Sequence, residues 1–268
     1  MKSGSPTLAE AREIRADGSE QPVTREWVPE VPIALEFNGL SYAVMMGTPA
    51  DLEDFVRGFA LNEGLARQVE DISGIAIAEV ENGWILRATL AGLGIEKLTE
   101  RVRTRVAESS CGLCGIENLE RVAQKLPTGP EHALAEPEAI FRALSRLREH
   151  QPLARATGAA HAAAFVAMDG TIRHAREDVG RHNAMDKLIG ALALAGEDPA
   201  QGFILSSARC SYEIVEKAAR AGAAQLVTIS LPTSMAVERA RAAGLSLWSL
   251  ARDDSVLLVN DGSGPRSD

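Results

Sequence analysis

The residues of this chain best suited to chemistry are Cys111-Gly112-Leu113-Cys114, two thiols separated by two residues. At that spacing both can share one turn, so one thiol can assist or resolve chemistry at the other, and such pairs often hold one thiol at a lowered pKa. Arg101, Arg103 and Arg105 lie just upstream and add positive potential that favours thiolate. Three chemistries compete: half of a zinc site, a dithiol/disulfide redox pair, and a nucleophile that carries sulfur. Structural zinc asks for four closely spaced ligands, and neither a second CxxC nor an HxxxH is present. A Cys-Cys-His set drawing on His161 or His182 stays open. Zinc deaminases place His-x-Glu ahead of the CxxC, whereas no histidine precedes Cys111. A thioredoxin-like pair opens a helix inside a βαβ unit, whereas these cysteines fall in a glycine-bearing loop between two units. The bland alternative is two unrelated loop cysteines. The third cysteine, Cys210, stands alone after an apolar strand and reads as a packing residue.

Two further segments are polar in a patterned way. His174 to Lys187 contains Glu177-Asp178-Val179-Gly180-Arg181-His182 and crosses from a strand into a helix start, where backbone N–H groups and Arg181 suit a phosphate. Ser206 to Glu213 offers hydroxyls and Arg209 ahead of another helix, a composition suited to phosphate or guanine recognition. Solvated strand-to-helix connections, with Ser211 as a simple helix cap, would account for the same residues.

The elements that must hold these groups follow from periodicity. Thr48-Pro49-Ala50-Asp51 reads as a helix start with proline in the first turn, and Leu52, Phe55, Val56 and Phe59 form one apolar face of a helix running to about Gly64. Asn82-Gly83 between Ile75–Ala78 and Trp84–Arg87 predicts a β-hairpin. Leu98 to Val106 fits helix and strand equally. Pro127, Gly129 and Pro130 mark a linker, and Pro137 opens a helix. Thereafter a hairpin around Asp169-Gly170 precedes helix 182–195, strand 203–207, helix 212–221, strand 226–230, helix 233–243 and strand 245–250. The βαβαβ run predicts a parallel core covered on both faces by helices, with the loops 206–213, 230–234 and 250–255 on one rim.

Composition bounds the function class. The 268 residues carry 28 Lys+Arg against 37 Asp+Glu, a net charge of −9, which disfavours DNA or RNA as partner. Three cysteines cannot form a disulfide framework and suit a reducing compartment, so a cytoplasmic protein is expected. Residues 1–25 mix charges with no apolar core for a signal peptide and are expected to be a disordered tail. No apolar run reaches the ~18 residues of a membrane span. The expected division is a tail at 1–25, an α+β N-terminal domain at 26–108, the CxxC loop and linker at 109–130, and an α/β domain at 131–268.

Taken together, His161-Ala-Ala-Ala-Phe165, Glu177-Asp-Val-Gly-Arg-His182, Asp186-Lys187, Ser206-Ser207-x-Arg-x-Ser211-Tyr-Glu213, Lys217 and Cys111-Gly-x-Cys-Gly115 resemble the formate dehydrogenase accessory sulfurtransferase family, FdhD/NarQ. The similarity begins near Val31-Pro32, includes Met45–Asp54, Gly58-Phe59 and Glu63-Gly64, and runs to about Asn260. The resemblance implies an α/β fold: a small α+β N-terminal domain followed by a three-layer α/β domain similar to cytidine deaminase. It implies a sulfurtransferase that accepts persulfide sulfur from a cysteine desulfurase at Cys111, with Cys114 assisting or acting as a second acceptor. The sulfur goes to the molybdenum cofactor, a bis(molybdopterin guanine dinucleotide) held as substrate, before that cofactor enters formate dehydrogenase. No tightly bound metal of the protein's own is implied, and a homodimer is. The family's cofactor-binding segment maps onto Leu250, Ala251, Arg252, Asp253, Asp254 and Ser255. Family members commonly have an aromatic at the first of these positions and a basic residue at the last, so Leu250 and Ser255 are departures, and Arg252 is the strong candidate in the segment. The rival function is a chaperone that binds the same cofactor without handling sulfur.

Overall fold

The computed structural model describes residues 4–92, 94, 98–100 and 124–263. Cys111, Cys114 and the arginines at 101, 103 and 105 lie outside the described residues, as does most of the segment 98–106.

The first unit is a four-stranded sheet with one helix on it. Strands β3 (Val31–Phe37) and β4 (Leu40–Gly47) form a hairpin, and β5 (Ile72–Val80) and β6 (Gly83–Leu90) form another. The sheet order is β4-β3-β6-β5, closed by parallel pairing of β3 with β6. Asn38 and Gly39 take positive φ at the first turn, the conformation a two-residue hairpin loop requires. Ile33, Leu35 and Phe37 alternate inward from β3 against Phe55, Val56 and Phe59 of helix α1 (Leu52–Asn62). Phe37, Tyr42, Phe55 and Phe59 pack as a chain of edge-on and stacked rings with centroids 5.8–6.3 Å apart.

The second unit is three-layered. Strands β7 (His161–Ala167), β8 (Ile172–Asp178), β9 (Gly202–Ser206), β10 (Gln225–Thr228), β11 (Ser246–Ser249) and β12 (Leu257–Asn260) lie in the order β12-β11-β10-β9-β7-β8. Helices α4 (Arg181–Ala195), α5 (Tyr212–Arg220) and α6 (Ser234–Ala243) cover one face through Met185, Leu188, Ile214, Val215 and Ala240. Helix α2 (Pro137–Leu147) covers the other through Ala139, Ile140 and Ala143 against Phe203, Leu205 and Val227. A short helix, α3 (Pro152–Thr157), leads into β7.

The expected parallel core is present as β9-β10-β11, and the expected hairpin at Asp169-Gly170 joins β7 to β8; the flanking pairs β7-β9 and β11-β12 are antiparallel as well. One expectation is corrected. Within the span expected to be a disordered tail, β1 (Thr7–Ile14) and β2 (Glu20–Trp27) form an antiparallel hairpin. Asp17 accepts from Ser19 N at 2.9 Å and Gly18 takes φ 82°, so the turn chemistry is local, and ion pairs Arg12–Glu20 and Arg25–Glu13 tie the strands. Charge density masked that pattern. The Pro127–Pro130 stretch, read as a linker, is laid onto the second unit: Gly129 N donates to Ala243 O at 2.7 Å, and just after it His132 reaches Ser246 Oγ at 2.8 Å.

The two units are locked together where α1 crosses α4. A Cβ at Gly58 would overlap the Asp186 carbonyl, and one at Gly190 would overlap that of Asp54. Absence of side chains at these two positions lets the helix backbones touch. Beside the crossing, Asn62 Nδ2 donates to Asp186 Oδ1 at 2.5 Å and Arg176 Nε to Asp54 Oδ2 at 2.8 Å.

Candidate functional site

The rim at the carboxyl ends of β9, β10 and β11 collects the polar segments. Strand β7 runs antiparallel to β9, which brings its first residue, His161, to this same edge, opposite Asp178 at the end of β8. Ala162 and Ser207 are joined twice, by Ala162 N to Ser207 Oγ at 2.8 Å and Ser207 N to Ala162 O at 3.0 Å. The next loop is held by Ser230 Oγ, which accepts from Cys210 N at 2.9 Å and donates to Ala208 O at 3.1 Å. Thr233 N donates to Cys210 O at 3.1 Å, and Ala251 N to Thr228 O at 3.1 Å. The three loops therefore do share one rim.

Asp178 sets where α4 begins. It is fully buried, and Oδ1 accepts from Gly180 N at 2.7 Å and Asn183 Nδ2 at 3.0 Å, while Oδ2 accepts from Thr48 N at 3.0 Å and Lys187 Nζ at 2.7 Å. Lys187, also fully buried, donates to Thr48 O at 2.9 Å, and Thr48 Oγ1 accepts from Val179 N at 3.1 Å. Thr48, which by sequence reads as part of a helix start, is instead the clasp between units. The true helix boundary residue is Asp51, in a left-handed conformation with no side-chain cap. Nothing in the local sequence distinguishes these uses, because Thr48's partners lie about 130 residues away.

Directly after Asp178, the first turn of α4 projects Arg181 and His182 toward the first turn of α5. His182 Nε2 lies 3.1 Å from Glu213 Oε2, and Arg181 Nη2 is 3.6 Å from the same oxygen. Ser211 Oγ donates to it at 3.3 Å. The hydrogen bond from His182 leads the effects that hold the Glu213 carboxyl below its ordinary range, against a smaller opposing cost of burial. His161 is pushed the other way for an imidazole: burial lowers its pKa first, then the Arg181 and Arg209 charges, with His182 adding and Asp178 opposing. Arg209 is exposed; its backbone carbonyl accepts from Ser211 N at 3.1 Å, and its guanidinium has no hydrogen-bond or ion-pair partner among the described residues.

The segment 250–255 forms the far end of the rim. Leu250 is half-buried with φ 51°, a left-handed conformation uncommon for leucine. Ala251 is buried, and Arg252 N closes a turn to Ser255 O at 2.8 Å. Arg252, Asp253, Asp254 and Ser255 are exposed. Arg252 Nη1 donates to Ala251 O at 2.9 Å and to Ile229 O, so this arginine leans back over the β10 loop. Cys210 is buried beneath the rim and its thiol is pushed up by burial, as a packing residue should be. No group of three or more His, Cys, Asp or Glu among the described residues is arranged to hold a metal ion, and no helix there is long and apolar enough to cross a membrane.

A profile described as the FdhD/NarQ family matches residues 28–262. The chain belongs to the FdhD/NarQ family. Within it, the sulfur carrier protein FdhD of Chromobacterium violaceum is 47% identical over 258 residues, covering 94% of this chain and 93% of the relative. That of Burkholderia mallei is 45% identical over 261 residues, covering 94% and 93%. Among solved structures, a protein of Desulfotalea psychrophila described as a formate dehydrogenase accessory protein superposes with a TM-score of 0.75 over 96% of this chain and 97% of that one. At 21% identity it shares the fold. The FdhD/NarQ fold is thus a small α+β unit followed by a three-layer α/β unit, as the sequence resemblance implies.

Proposed function

We propose that this FdhD/NarQ member is a cytoplasmic, homodimeric sulfur carrier that serves formate dehydrogenase. Cys111 accepts sulfur from a cysteine desulfurase and passes it to the molybdenum cofactor, a bis(molybdopterin guanine dinucleotide) bound as substrate. In the loading step the Cys111 thiolate attacks the outer sulfur of the donor persulfide. A sulfur–sulfur bond forms at Cys111, the one in the donor breaks, and the donor cysteine leaves as thiolate. In the assisting role the Cys114 thiolate attacks the inner sulfur of the Cys111 persulfide, forming a Cys111–Cys114 disulfide and releasing the outer sulfur at the sulfide level, so the thiol pair supplies the two electrons; as a second acceptor it takes the outer sulfur and Cys111 returns to thiolate. The single observation that carries this reading is the 47% identity, over nearly the whole of both chains, to a relative named for carrying sulfur.

The rim's chemistry fits the substrate. A guanine dinucleotide is polyanionic, and Arg181, Arg209 and His161 converge at one end of the rim while the 250–255 segment, with Arg252, lies at the other. When bound, the cofactor supplies the molybdenum that takes up sulfur; the protein's part is to hold its nucleotide end and present the loaded thiol.

The test is direct. The purified protein is incubated with a cysteine desulfurase and isotopically labelled cysteine without reductant, and adducts are mapped by mass spectrometry. An addition of about 32 Da at Cys111, with or without Cys114, is expected, since persulfidation adds one sulfur. Absence of label from both Cys111 and Cys114 would refute the carrier. Full restoration of formate dehydrogenase activity by Cys111→Ala/Cys114→Ala would instead establish the cofactor chaperone.

A further inference from the structure

The four-stranded sheet of the first unit packs one face on α1 and turns the other outward. Ile33, Leu35, Phe37 and Leu86 point inward to the core. The register fixes what the outward face shows, because directly paired residues point the same way. One row across the sheet is Met46, Pro32 and, beyond Gly83, Val80. The next is Val44, Ala34, Ile85 and Ala78, and the third is Glu36, Arg87 and Ala76. Val44, Met46 and Val80 are 64%, 49% and 43% exposed. No apolar residue of these rows belongs to a hydrophobic core of the described residues. The charges within the rows, Glu36 and Arg87, pair with each other at 2.6 Å at the margin, so the face is neutral on a chain of net charge −9. An apolar centre with a polar margin is the anatomy of a protein-docking surface.

Two observations say what docks there. The first is size. Four strands at about 4.8 Å spacing, and the seven residues of β3 at about 3.3 Å each, give a flat footprint of roughly 440 Å². That matches the ~300–600 Å² of a functional patch on a monomer and is about half of the ~800 Å² per partner in a standard stable interface. Such a face suits a partner that binds and leaves rather than a permanent second copy. The second is place. Strand β4 is the edge of its sheet, and Met46 O accepts from Asn183 Nδ2 in the first turn of α4 at 2.8 Å. Thr48, just beyond, is held by Asp178 and Lys187. The Met46 corner of the face therefore abuts the rim. A protein that takes the cofactor from the rim must lie against the molecule beside it.

We infer that the outward face of the β4-β3-β6-β5 sheet is the docking surface for the enzyme that receives the cofactor, formate dehydrogenase in its cofactor-free form. The inference rests on the proposed function and adds where the recipient sits. Met46, Val44, Ile85 and Val80 are buried against an apolar patch of the enzyme, with Glu36, Arg87 and Thr89 at the wet margin. Because the face has no net charge, affinity there is insensitive to ionic strength, unlike the hold of the rim on an anionic cofactor.

Biolayer interferometry tests it, with full-length protein immobilised and formate dehydrogenase purified without its cofactor as the probe. Met46→Glu and Met46→Lys, of opposite charge, are both expected to weaken binding at least ten-fold, since either one buries an unpaired charge. Val80→Glu, on the far strand, should do the same from the other end of the face and decides the matter if a Met46 variant fails to fold. Leu194→Glu, at an exposed apolar residue of α4, should change nothing. Weakening by one sign of charge alone, or unchanged affinity in all three variants, would overturn the inference and leave the proposed function standing. Dehydrogenase binding that holds while light scattering shows dimers falling to monomers would give the face to a second copy instead. Binding that holds while loading of Cys111 by the desulfurase fails would give it to the sulfur donor. Failure of wild type to bind the dehydrogenase at all would overturn the inference together with the dehydrogenase half of the proposed function, and sulfur loading at Cys111, read by mass spectrometry, reports separately on the other half.

Discussion

At the scale of single residues, the rim is governed by a few charges that face one another in a partly dry setting. His161 illustrates it. Burial and the charges of Arg181 and Arg209 lower its pKa, while Asp178 works the other way. In nuclear magnetic resonance titration its midpoint should fall below the ordinary imidazole value of about 6.5, and in Arg209→Gln it should move upward because one repelling charge is gone. The sign for stability follows. With the folded pKa below the unfolded one, the unfolded chain binds a proton that the native protein does not. Stability is therefore lost as pH falls from the unfolded pKa to the folded one and levels off below that. His161→Gln should flatten this part of the acid limb in urea titrations at pH 5 to 7, a range set by the ordinary value of about 6.5. A midpoint unchanged in Arg209→Gln would mean that the two side chains do not share a site.

At the scale of elements, what could be read locally and what could not divides cleanly. The β5–β6 hairpin was legible from Asn82-Gly83, although the turn falls one residue earlier: Val80 pairs with Gly83, the loop is Glu81-Asn82, and Gly83 opens β6 at φ 142° where its backbone passes close to Pro32 O. Helices α1, α4, α5 and α6 were legible because each buries one apolar face or a nearly continuous apolar run. The β3–β4 hairpin carried the same kind of signal, Ile33, Leu35 and Phe37 alternating up to Asn38-Gly39, and that pattern would have found it. The crossing of α1 over α4 was not legible. Gly58 and Gly190 look like ordinary helix-weakening glycines until their partners, some 130 residues apart, are brought together. Gly58→Ala should therefore destabilise the protein by at least about 1–3 kcal/mol, although alanine is the better helix former, because the crossing cannot accept a methyl group. Urea denaturation would show it. A stabilised variant would mean that the helices stand further apart.

At the scale of the whole molecule, the two units are joined by a buried ionic clasp as well as by the helix crossing. Lys187 and Asp178 have no solvent contact, and each bonds the Thr48 backbone from the other unit. Lys187→Met leaves Asp178 buried without its counter-charge and should cost about 3–5 kcal/mol. The loss should reach the rim, since Asp178 also fixes Gly180 and Asn183 at the start of α4. GDP affinity, measured at a temperature where the variant is still folded, is expected to fall along with stability. Calorimetry of wild type should give a single transition, because neither unit can let go of the clasp without exposing a paired charge. Two resolved transitions would show that the units fold independently. The sequence alone determined the elements from β7 to β11 and their order, helix α1, the β5–β6 hairpin, the thiol pair and the family, because these depend on residue type and short-range spacing. Only the tertiary structure decided that Thr48 is a clasp rather than a helix cap. Likewise it decided that β7 runs antiparallel to β9, so that His161 lies on the rim opposite Asp178, where the charges of Arg181 and Arg209 act on it. Such facts are set by packing between residues distant in the chain, where burial and electrostatics act through space and leave no local mark.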